Sequence, residues 1–153
     1  MLALAVLRSK GAAVYAASCL ALILVTGIPL QAAGPIVTAH SDEAMILWLG
    51  FGFLLPVFET WIVQDCLQEA LLRRGAAVWV RITASCAVSV LLHRSSLVAL
   101  LVFGLGHGFL YALTYAVWRS EGRNRAFAMT FFLNLMASNA LLGASLLFAS
   151  TRA

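Results

Sequence analysis

Charged residues cut this chain into five apolar runs, spanning approximately 11–37, 44–72, 76–93, 97–118 and 126–149. Each is near the ~20 residues a helix needs to cross bilayer hydrocarbon. The third run is the shortest and the second the longest. The second also contains Pro56, which removes a backbone donor and is expected to bend the helix just before Glu59. The pattern predicts an all-α protein: a polytopic transmembrane bundle of about five helices, forming one domain over residues 1–153. Arg8 and Lys10 precede the first run and Ala32-Ala33-Gly34 resembles a signal-cleavage site. The run is nevertheless longer than the ~7–15 residues of a signal core, so a retained anchor helix over 11–37 is expected.

Residues four apart share a helix face, and on that spacing four of the five runs carry a polar line. The second has Thr60, Gln64 and Gln68, with Glu59 beside its start. The third has Arg81, Ser85, Ser89 and His93. On the fourth, His107, Tyr111 and Tyr115 align, while Gly104 and Gly108 form a GxxxG on a neighbouring face. The fifth has Thr130, Asn134 and Ser138, with Asn139 adjacent. The first run has no such line and reads as lipid-facing.

Glu59 stands out among these positions, because no charge lies between Met45 and Val57. A carboxylate at bilayer depth costs several kcal/mol unless it is protonated, paired or facing a wet cavity, so it is a functional candidate by default. Depth groups others with it. At ~1.5 Å per residue, Glu59 lies about 22 Å in from Arg74, and His93 and His107 each about 18 Å in from Arg81 and Arg119. Asn134 lies about 13 Å from Arg125 on the same scale. Plainer readings apply elsewhere. The serine lines and the Gly104/Gly108 pair suit close helix packing. His107 suits a packed, hydrogen-bonded histidine. Asp65, Glu69 and Arg73 suit an interfacial ion-pair ladder.

Composition settles the class expected. With 63% hydrophobic and 10% charged residues and a mean hydropathy of +0.97, the chain reads as an integral membrane protein. Its net charge of +4 comes from cations that flank apolar runs and form no patch, which points to topology and away from nucleic acid. With the N-terminus in the cytoplasm, inside loops carry Arg8, Lys10, Arg73, Arg74, Arg81, Arg119, Arg123 and Arg125. The outside then carries Arg94 and Arg152 with Asp42 and Glu43. A multi-pass protein of the cytoplasmic (inner) membrane is expected, with its N-terminus inside and C-terminus outside. The three cysteines are scattered and lack metal-ligand spacing, so neither a disulfide framework nor a zinc site is expected.

Several segments resemble the CAAX-protease and bacteriocin-processing family of intramembrane glutamic-type proteases. They are Pro56-Val57-Phe58-Glu59-Thr60 with Gln64 and Arg74-Gly75, then Ser85 through His93, Phe103-Gly104-Leu105-Gly106 with Tyr111, and Ala126-Phe127 with Thr130. The resemblance runs from Pro56 to the C-terminus and makes 44–149 a protease-like core. The family's first motif is a glutamate pair followed four residues later by arginine. Glu59 matches its first member, while Thr60 and Gln64 replace the others. Its second motif, phenylalanine then histidine four residues on, maps to Ser89 and His93. Its third, histidine then asparagine four residues on, maps to Asn134 and Ser138, with Asn139 next door.

The resemblance implies peptide-bond hydrolysis inside the bilayer. Glu59, helped by His93, would activate water, and Asn134 would donate to an oxyanion. Ser138, Asn139, Gln64, Thr60 and His107 would line the cavity. The expected partners are a peptide or protein substrate within the membrane and the bilayer itself. No cofactor is expected, and a metal is disfavoured because zinc wants three protein ligands. Two rival readings follow from the altered motifs and from Glu59 itself: a silent relative that binds a membrane peptide, and a small proton-coupled transporter using Glu59 and His107.

Overall fold

A computed structural model describes residues 45–46, 48–93, 97 and 100–150, with side chains described through residue 140 and at 142. The expected anchor at 11–37 lies outside the described residues. Within them the chain is all-helical, with four helices: α1 (48–73), α2 (Val78–Leu92), α3 (Leu100–Glu121) and α4 (Arg123–Ser150). They coincide with the last four apolar runs to within a few residues at each end.

The turns explain the ends of α1 and α3. After α1 the N–H of Ala76 bonds the Leu71 carbonyl and that of Gly75 the Leu72 carbonyl, which together form a Schellman cap. Gly75 takes φ +74 there, a conformation that a side chain would oppose. Gly122, at φ +126, separates α3 from α4. The α1/α2 and α3/α4 turns lie at the same end of the bundle, since Asp65 and Glu69 bond Arg123 and Arg119. That end therefore gathers Arg73, Arg74, Arg119, Arg123 and Arg125.

Helix α1 is continuous but unevenly wound. Trp48–Leu54 and Thr60–Cys66 are π-helical and flank the α-helical turn Leu55–Glu59. Pro56 has no N–H to offer the Gly52 carbonyl four residues back, and its ring crowds that turn. Asn139 of α4 supplies the donor, its Nδ2 lying 3.0 Å from Gly52 O. Trp48 Nε1 in turn donates to Asn139 Oδ1 at 2.6 Å. Around Pro56 the helix is thus widened on either side and stapled to α4 through Asn139.

Helices α2 and α3 approach through the glycine pair. A Cβ on Gly104 would sit 2.7 Å from Val90 Cα, and one on Gly108 would sit 2.5 Å from Ser89 Cβ. No larger residue fits without separating the helices, which is the packing role expected of GxxxG. The apolar core lies lower, where Ile82 packs on Ala112 and Ala116, and Tyr115 and Trp118 pack on Ala126.

The distribution of polarity is inverted relative to a water-soluble bundle. Phe58, Trp61, Ile62, Trp79, Leu105 and Phe132 are exposed, whereas Glu59, Thr60, Gln64, Gln68, Ser85 and Thr130 are buried. By length and composition, α3 is long and apolar enough to cross a membrane at 22 residues, and α2 is a shorter apolar helix of 15 residues.

Candidate functional site

Packing sets the level of each polar group. Ser85 Oγ donates to the Val63 carbonyl at 3.1 Å, which fixes the register of α1 against α2. One turn farther from the arginine-rich end, Glu59 on α1 and Ser89 on α2 come level, because the helices are antiparallel. Ser89 abuts Gly108, which brings His107 to this level as well. From α4, Asn134 Nδ2 donates to Glu59 Oε2 at 3.1 Å. Ser138 Oγ donates to Asn134 Oδ1 at 3.4 Å, which keeps the amide nitrogen turned toward the carboxylate. Glu59 is only 9% exposed, and its Oε1 has no hydrogen-bond partner among the described residues.

A row of four rings closes the layer. His93 and Phe103 have centroids 5.9 Å apart, Phe103 and His107 5.3 Å, and His107 and Tyr111 5.9 Å. His93 terminates α2, and its ring folds back so that Nδ1 lies 2.9 Å from the Ser89 carbonyl oxygen. Nδ1 therefore carries the proton and donates, which leaves Nε2 as the basic nitrogen of the neutral ring. His93 and Tyr111 both lie within electrostatic reach of Glu59.

Of the residues singled out from the sequence, Glu59, Asn134 and Ser138 form one bonded chain, with His93 and His107 beside it. Thr60 and Gln64 are fully buried on the same helix as Glu59. Asn139 is committed elsewhere: its amide spans Gly52, Leu135 and Trp48 and serves the bend at Pro56. The structure adds Phe103 and Tyr111. Their rings lie in one row with the two histidines, Phe103 against His93 and His107, and Tyr111 against His107.

A second polar group occupies the opposite end. Glu69 accepts from Arg119 at both carboxylate oxygens, with Nη2 2.9 Å from Oε2 and Nε on Oε1. Asp65 accepts from Arg123 Nε at 2.8 Å and Nη2 at 2.6 Å. The Tyr115 hydroxyl sits between them, 2.6 Å from Asp65 and 3.0 Å from Glu69, and its one proton serves one carboxylate at a time. The partner carboxylates hold the Arg119 and Arg123 guanidinium groups above their already high values, so both stay charged. These pairs replace the ladder along α1 expected for Asp65, Glu69 and Arg73. The two carboxylates turn inward toward α3 and α4, while Arg73 is exposed. Arg81, which is buried, lies within electrostatic reach of Glu69 and Arg119, and its Nε and Nη1 have no partner among the described residues.

Among the described residues, no three of His, Cys, Asp and Glu are grouped to hold a metal ion. Comparison with family models, curated proteins and solved structures gives no match to this chain.

Proposed function

We propose that this chain is a multi-pass protein of the cytoplasmic membrane, with about five spans, and that Glu59 is the base of a peptidase-like site within the bilayer. The observation that carries the reading is the state of the Glu59 carboxylate. Asn134 fixes Oε2, and Oε1 is left buried with no partner among the described residues, with His93 and Tyr111 within electrostatic reach of the carboxylate. An oriented carboxylate with one unengaged oxygen can take a proton from water as that water attacks a peptide carbonyl. The Tyr111 hydroxyl would then donate to the developing oxyanion, since Asn134 is already spent on Glu59 and the one proton of the neutral His93 ring on the Ser89 carbonyl. The test is to incubate the detergent-purified protein with membrane-spanning peptides and look for products by mass spectrometry. Products from the wild type and none from Glu59→Gln support hydrolysis.

The Asn134–Glu59 bond also favours a second reading. It holds the carboxylate as a fixed hydrogen-bond acceptor, as suits a site that binds a membrane peptide without cutting it. Binding that survives Glu59→Gln, with no products from either protein, would select that reading.

Orientation rests on the arginines gathered at the two turns. Single cysteines near Ser9, Gly75 and Gly122 in a cysteine-free background are expected to be shielded from an impermeant reagent in intact cells. Those near Ser41 and Ser150 should react. External labelling at Gly122 would overturn the proposed topology.

A further inference from the structure

Between the two polar groups the interior is studded with polar atoms that have no hydrogen-bond partner among the described residues. On α1 these are Gln68 Oε1, Gln64 Nε2, Thr60 Oγ1 and Glu59 Oε1; on the neighbouring helices they are Ser89 Oγ of α2 and Thr130 Oγ1 of α4. A buried polar atom left unpaired costs about 1–3 kcal/mol, and native proteins satisfy nearly all of them with protein or ordered water. Several such costs on one helix face approach the whole stability of a small domain.

Their spacing suits water. Gln68 Nε2 already donates to Gln64 Oε1 at 3.2 Å, so these two stations touch, and Gln64 and Thr60 stand about one turn apart, a gap that two hydrogen bonds of about 2.9 Å through one water can bridge. Their chemistry also alternates. Gln68 Oε1 accepts, Gln64 Nε2 donates, Thr60 Oγ1 does both and Glu59 Oε1 accepts. The stretch Thr60–Cys66 is π-wound, a geometry that loosens the turn along which these side chains stand. At the lower end Arg81 presents two further unpartnered donors, Nε and Nη1.

We infer that these atoms line a file of internal waters running along α1 from Arg81 to Glu59 Oε1. Water reaches the carboxylate through it from the end of the bundle where the arginines cluster. The file rests on the reading of Glu59 as a base only for its use; its existence does not depend on catalysis. It deepens that reading by assigning the second substrate of a hydrolysis a route separate from the one a peptide takes through the lipid.

Radiolytic labelling of the full chain in nanodiscs with ¹⁸O-water tests this, because hydroxyl radicals formed from internal water mark adjacent side chains. The buried Tyr111 ring should take up ¹⁸O in the wild type. The uptake should fall about tenfold in Thr60→Val and in Gln68→Leu, each of which removes one polar station from the file. Labelling of exposed Trp79 should stay unchanged and so report an intact fold; Gln64→Met is a conservative second block should either variant misfold. An unlabelled Tyr111 in the wild type, or uptake unchanged in folded variants, would overturn the file. Labelling that behaves as expected supports it even if no peptide is cleaved, and that combination would count against the hydrolytic reading alone.

Discussion

Glu59 and Glu69 stand on the same helix, and the fold treats them in opposite ways. Glu69 receives two hydrogen bonds from Arg119 and lies against Tyr115. Glu59 receives one from a neutral amide and keeps one oxygen unpartnered. A buried charge that is paired and hydrogen-bonded is a structural fastening. One that is fixed at a single oxygen, beside titratable rings, is held in position without being neutralised. The difference separates a joint between helices from a candidate site, although both are buried glutamates.

The sharpest way to break this contrast is to remove each carboxylate's function in turn. Glu59→Gln keeps shape and the bond to the Asn134 region, and should lower peptide turnover by about 10²–10⁴, the usual worth of a positioned base. Thermal melting in detergent should change little. If melting collapses while turnover persists, Glu59 is the fastening and the comparison is inverted. Arg119→Ala probes the other side. It leaves Glu69 buried with Tyr115 as its remaining donor and should destabilise the bundle by about 2–3 kcal/mol, reduced from the fully buried case because Arg119 is partly exposed. Denaturant titration measures it.

A third prediction tests what brings the ring row over Glu59. Gly108→Ala places a methyl 2.5 Å from Ser89 Cβ, so α2 and α3 must separate. The expected cost is about 1–3 kcal/mol, as for other overpacking. Ser89→Gly in the same chain should recover most of it, which distinguishes the clash from a general intolerance of change in α3.

The helices were legible because apolar length and charge punctuation are one-dimensional signals. The runs 76–93 and 97–118 became Val78–Leu92 and Leu100–Glu121. The convergence of polar lines was legible too, since spacing by four puts Thr60, Gln64 and Gln68 on one buried face and joins Ser138 to buried Asn134. Spacing failed where partners come from other helices. Asp65 and Glu69 looked matched to Arg73 along α1, but burial turned them to Arg123 and Arg119. The π-winding of Thr60–Cys66 also lies beyond that rule, because a wider turn shifts which residues share a face. The work of Asn139 was hidden for a related reason. Its partner, the Gly52 carbonyl, lies four residues before Pro56, and nothing in sequence says that α4 passes beside it.

The smallest effect sharpens the comparison most, because it asks how complete the pairing at the ionic end is. Tyr115 donates to Asp65 at 2.6 Å, yet Asp65 and Glu69 each already receive two bonds from an arginine. Tyr115→Phe therefore removes a donor from carboxylates that remain paired, and leaves no unsatisfied hydroxyl behind. The expected loss is about 0.5–1.5 kcal/mol, the net worth of one hydrogen bond. In an Arg119→Ala background the same change should cost more, because Glu69 would then lose its last hydrogen-bond donor. A double-mutant cycle on unfolding free energy reads that coupling directly. A coupling of zero would mean that Tyr115 serves Asp65 alone and that the two ion pairs are independent joints. A positive coupling means that Tyr115 ties them into one unit, so that this end of the bundle holds together while the Glu59 layer keeps its open oxygen.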